Sequence, residues 1–103
     1  AQPAPPDIQA EIDAAAPGLL ACRAEVALER RKDVGEIPAG ALEIRFTVTP
    51  DGSVARPEVV ALSSTAPDVL ACVERRVAAW RFMATRPTPV RVMERVLFPR
   101  AAR

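Results

Sequence analysis

An α+β fold in two layers is predicted for this chain: a three-stranded sheet in the order second, first, third, packed by two helical regions. Three features predict it. Apolar residues recur every three or four positions from Ile8 to Val26; the period drops to two at Leu42; and a second helical stripe, Val69 to Trp80, leads into another alternating run, Val90 to Phe98. The element order is helix, strand, strand, helix, strand, without an internal repeat.

Pro3, Pro5 and Pro6 lack amide donors and favour extended backbone, so residues 1–6 read as a Pro-rich linker or terminus. That opening fits a mature terminus after signal cleavage, the end of a longer Pro-rich tether, or an arbitrary boundary. Asp7 is placed to cap the helix that follows, in which Ile8, Ile12, Ala15, Leu19, Cys22 and Val26 line one face. Pro17-Gly18 interrupts the stripe and predicts a kink or two consecutive helices. The charged run Glu29 to Asp33 reads as a solvated helix end, and Val34 to Gly40 as a loop.

Leu42, Ile44, Phe46 and Val48 alternate with Glu43, Arg45 and Thr47, the pattern of a strand with one buried face. In Thr49-Pro50-Asp51-Gly52-Ser53 the proline presets φ early in a turn and the glycine accepts positive φ later, so the chain reverses into a hairpin. The return strand, about Val54 to Leu62, contains Pro57, which fits an edge strand. Thr65 and Asp68 read as a capping pair for the second helical region. Val69, Cys72 or Val73, Arg76 or Val77, and Trp80 then form its apolar face, with Trp80 and Phe82 closing the helix as core residues. After the loop Thr85 to Pro89, the run Val90 to Phe98 places Val90, Val92, Val96 and Phe98 on one face, with Glu94 the exception in their register. Phe46, Trp80, Phe82 and Phe98 are the expected core anchors. Residues 7–99 form the single domain and 100–103 a tail.

The last connection restricts the sheet. A strand reached through a helical crossover usually runs parallel to the strand it left, in a right-handed unit. With the first strand in the middle, that condition holds and both neighbouring pairs are antiparallel. Both outer strands are then edges, and the third has no internal proline to blunt it.

Composition narrows the function classes. At 103 residues the chain has room for one domain. The formal net charge is +1, and its arginines are spread along the chain with Lys32 the single lysine. With three Phe, one Trp and no Tyr, the basic stripe and stacking aromatics of a nucleic-acid surface are missing. No stretch approaches the ~18 consecutive apolar residues of a transmembrane helix, so a soluble domain is expected, reaching a membrane only through a tether outside this chain. The absence of histidine removes the usual base near neutral pH, there is no Gly-rich phosphate loop, and Ser53, Ser63, Ser64, Asp51 and Asp68 stand where turns and caps use them; no catalytic residue and no cofactor are expected. Cys22 and Cys72 have no Cys-x-x-Cys spacing, which argues against a metal or thioredoxin-like redox site. They read equally as a structural disulfide or as two buried thiols.

The ordered set of helical Cys22, Ile44 to Val54 with its Thr-Pro-Asp-Gly-Ser turn, Ser63-Ser64, Cys72-Val73, Trp80-Arg81-Phe82 and the closing Val92 to Phe98 resembles the TonB C-terminal domain superfamily, in particular its AgmX/PglI C-terminal branch. The chain departs from that pattern at Arg95-Val96, where the family often carries Pro-Phe, and in a longer Val34 to Gly40 loop. The resemblance implies a Cys22–Cys72 disulfide, a periplasmic or cell-surface setting, and a role in linking envelope components or transmitting force, as in transport or gliding motility. A non-enzymatic interaction domain is therefore expected, in which Val90, Arg91, Val92, Met93, Arg95 and Leu97 form the edge that takes up an extended segment of another envelope protein, with Arg91, Met93 and Arg95 on the open face supplying selectivity. The same edge could serve homodimerisation. The alternative is a passive folded spacer or terminal domain of a tethered envelope protein or lipoprotein.

Overall fold

The computed structural model describes residues 4–100; residues 1–3 of the expected linker and 101–103 of the expected tail lie outside the described residues. Each α-helix opens on a proline: α1 spans Pro6–Ala15, α2 Pro17–Arg30 and α3 Pro67–Ala78. At the first helical position the missing N–H has no intrahelical partner to lose, and the fixed φ suits the helix. The interruption at Pro17-Gly18 thus yields two consecutive helices.

The same prolines overturn two expected caps. The residues preceding the helices are Pro5 and Ala66, whose side chains offer no acceptor, and neither helix has a side-chain cap. Asp7 instead lies inside the first turn, where it accepts from the Ile8 amide at 3.0 Å and holds Arg86 through two bonds of 2.8 and 3.0 Å. The Arg86 guanidinium keeps the Asp7 carboxyl below its ordinary pKa. Thr65 accepts from the Gly40 amide at 3.2 Å, while Ser63 Oγ accepts from the Ala41 amide at 2.8 Å, so this pair secures the entry to the first strand. Asp68 pairs with Arg30 across the helical layer.

The strands are β1 (Ala41–Val48), β2 (Val54–Ala61) and β3 (Val90–Leu97), in the order β2-β1-β3 with both pairs antiparallel. Leu42, Ile44, Phe46 and Val48 of the central strand are 0–2% exposed and face the helices. Against them lie Ile8, Ile12, Leu19, Cys22 and Val26 from α1 and α2, and Val69, Val73 and Val77 from α3. Ile37 is fully buried as well, just after the short 3-10 turn Val34–Glu36, and Arg23 Nε donates to its carbonyl at 2.8 Å. Glu94 sits half-buried on the inner face, where Gln9 Nε2 donates to it at 3.2 Å.

The segment after α3 is held at both ends. Glu11 accepts from the consecutive amides of Met83 and Ala84 at 2.8 and 2.7 Å, fastening it to α1. The Phe82 amide donates to the Gly52 carbonyl at 2.8 Å, fastening it to the hairpin. Trp80 and Phe82 therefore follow the helix, which ends at Ala78, rather than closing it; both still meet Phe46, with ring centroids 5.8 and 5.9 Å away. Trp80 is half-buried, whereas Phe82 and Phe98 are buried.

Cys22 and Cys72 form a disulfide between α2 and α3, with Cα atoms 5.8 Å apart. It joins the two helices that Arg30–Asp68 and Arg76–Glu25 also bridge. These ion pairs are partly exposed and contribute little individually. A link that closes a loop of about 50 residues stabilises by about 4 kcal/mol in the chain-entropy model.

Replacing both cysteines with alanine should lower the unfolding free energy in urea by about 4 kcal/mol, and a loss below about 1 kcal/mol would refute that role. Gly52 has φ +88°, and a Cβ there would stand 2.3 Å from the Phe82 carbonyl oxygen. Gly52→Ala should accordingly cost about 2 kcal/mol or more by the same assay. Asp51 accepts from Thr49 Oγ1, Ser53 Oγ and the Ser53 amide, which depress its pKa from 3.8 to about 2. The unfolded chain binds that proton more readily, so this contribution is complete above pH 3.8 and is lost as pH falls through about 2. Asp51→Asn should remove that part of the acid sensitivity in unfolding curves recorded between those pH values.

Candidate functional site

Backbone direction along β3 follows from two hydrogen bonds. Phe98 donates to the Gly40 carbonyl at 3.1 Å, and Leu62 donates to the Ala41 carbonyl at 2.8 Å. Backbone polar groups alternate sides along a strand. Even-numbered residues of β1 therefore face β3 and odd-numbered ones face β2. By the same alternation Val90, Val92, Glu94 and Val96 direct their amides and carbonyls to β1, while Arg91, Met93, Arg95 and Leu97 direct theirs outward. Among the described residues nothing else hydrogen-bonds to that outer row.

Side chains divide the same way. Val92 and Val96 are buried in the core and Val90 is half-buried, so these residues hold the strand in place. Arg91, Met93, Arg95 and Leu97 project from the face opposite the helices, with Leu97 70% exposed. The six edge residues selected from the sequence thus split into two inward supports, Val90 and Val92, and four residues that offer both backbone and side chain to the outside.

The other edge is irregular. Arg45 pairs with Glu58 and Thr47 with Ala55, so Arg56 and Pro57 together oppose Phe46 in a β-bulge. Arg56 carries it with φ 54°, a conformation uncommon for a side-chain-bearing residue. A regular strand would turn Arg56 to the same face as Phe46, into the core. The bulge releases it to solvent and leaves Pro57, with no donor, on the outer side of β2.

On the open sheet face Arg45 donates to Glu43 at 2.8 Å and to Glu58 at 3.2 Å. The Glu43 bond and charge, with Glu58 adding, hold the Arg45 guanidinium above its ordinary pKa. Glu43 is only 8% exposed despite lying on an uncovered face, because it is flanked in register by Val60 and Arg95 and covered by Arg45. Arg56, Arg91 and Arg95 have no ion-pair partner among the described residues. Thr47, Thr49, Arg56, Pro89 and Arg91 line a shallow recess on this face.

Sequence reasoning missed Arg56 and the recess. The available signal was an Arg-Pro step within an otherwise inward-alternating strand, which a regular register would bury. The disulfide is consistent with an oxidising compartment, and no helix among the described residues is long and apolar enough to cross a membrane. Comparison with protein-family models, curated proteins and solved structures yields no match for this chain.

Proposed function

We propose that this chain is a non-enzymatic interaction domain of a bacterial envelope, with β3 serving as the edge to which an extended segment of another envelope protein adds as a fourth strand. The observation that carries the reading is the asymmetry of the two edges. β3 is regular over Val90–Leu97 and presents four outward-turned residues, whereas the bulge and Pro57 interrupt β2. Ladder bonds supply affinity in such additions, and alternate side chains supply specificity. A periplasmic or cell-surface location, with a role in linking envelope components or transmitting force, agrees with the Cys22–Cys72 bridge and with the TonB-like order of motifs. The groups most available for catalysis have structural uses: Asp51, Ser53 and Thr49 bond one another in the hairpin, and Ser63 and Thr65 hold the start of β1.

The discriminating substitution is Met93→Pro, because Met93 turns its amide outward, whereas proline at Val92 would remove a bond from the β1–β3 ladder. A pull-down from envelope extract with the oxidised domain should capture a partner that Met93→Pro loses by tenfold or more while its urea midpoint stays near the parent's. Equal capture by both proteins would overturn edge addition, and no capture by a monomeric parent would replace this reading with that of a passive spacer.

A further inference from the structure

The chemistry of the incoming segment can be read from the open face. Across β1, Ala55, Thr47 and Arg91 form one row, and the bulge brings Arg56 to the same end of the sheet. The strands flanking Thr47 lie about 10 Å apart, so two arginine side chains can converge above its hydroxyl. Arg56 and Arg91 both line the recess, no carboxylate lines it, and neither guanidinium has an ion-pair partner among the described residues. Arg45 differs in being occupied by Glu43 and Glu58. Along β3, the next outward side chain after Arg91 is Met93, 44% exposed, and the last is Leu97.

A strand added to β3 places its residues directly opposite those of β3 on the same face, with Cβ atoms about 5 Å apart. The residue opposite Arg91 therefore lies beside the Arg91 side chain, on the side away from Thr47 and Arg56, and the one two positions along lies against Met93. We propose that Arg91 receives a carboxylate side chain of the partner's extended segment, whose next residue on that face is apolar and packs on Met93. This inference rests on the edge-addition reading and specifies its partner: an acidic residue separated by one position from an apolar one, within a β-forming stretch. A second copy of β3 fits poorly, since its one acid, Glu94, lies on the inner face and one antiparallel register places Arg91 opposite Arg95.

The bulge adds a second positive charge at the same end of the sheet. An arginine held at φ 54° before a proline is a costly way to continue a strand. Here it exchanges a guanidinium that would point into the core for one beside Arg91.

A display library of random twelve-residue segments, panned against the oxidised domain with the folded Met93→Pro protein as the counter-selection, reads this directly. Enriched segments should share an acidic residue followed two positions later by an apolar one. Replacing that acid by its amide in a synthetic copy should weaken binding by about tenfold, as expected for a charge-assisted bond. The acid-over-amide preference should shrink towards unity in Arg91→Gln and change less in Arg56→Gln, and Arg91→Lys should restore part of it. Segments enriched without an acid, or a preference unchanged in Arg91→Gln, would overturn the Arg91 assignment while leaving edge addition standing. Failure of any segment to enrich over the counter-selection would overturn edge addition and the assignment together.

Discussion

The placement of β1 at the centre of the sheet is the constraint on which the rest of the molecule depends. Its inward row of Leu42, Ile44, Phe46 and Val48 is covered by three helices, and a one-residue slip would turn Glu43, Arg45 and Thr47 into that space. Register is thereby fixed on both sides of β1. Once it is fixed, the alternation of backbone groups decides which residues of β3 bond inward and which face out. The proposed site is a consequence of core packing carried one strand further.

The helical layer is secured by a small number of specific links. The disulfide and two ion pairs join α2 to α3, Glu11 and Asp7 tie α1 to the segment leaving α3, and Arg23 reaches both Ile37 and Pro99. Nearly all of these restraints lie on the covered side or at the ends of the sheet. Among the described residues the ion pairs of the open face are those of Arg45 with Glu43 and Glu58, and the flanking arginines are left unpaired.

Much of the fold was legible because each element announces itself through period: 3.6 in the helices, two in β1 and β3, and Pro-Asp-Gly at the hairpin. The strand order followed from one rule about crossovers. The errors have a common cause in proline. Asp7 and Thr65 look like caps, but Pro6 and Pro67 put the cap positions at Pro5 and Ala66, two residues before Asp7 and one after Thr65, and the polar groups are taken up by tertiary partners that local sequence does not reveal. Ile37, in what reads as a loop, joins the core because a short 3-10 turn folds it inward.

The candidate site was half legible. The alternation in Val90 to Phe98 separates its inward and outward residues, and the outward four were all selected. Arg56 was not, because a bulge adds one residue to a strand and its effect appears only against a partner strand. The central claim, that β3 presents an unpaired row of backbone groups, is tested most directly by amide hydrogen exchange across β3 in the monomeric oxidised domain. The account predicts protection of Val92, Glu94 and Val96 and rapid exchange at Arg91, Met93, Arg95 and Leu97, the latter becoming protected when a partner segment binds. Uniform protection along β3 in the free monomer would mean that the edge is already covered, and would contradict it.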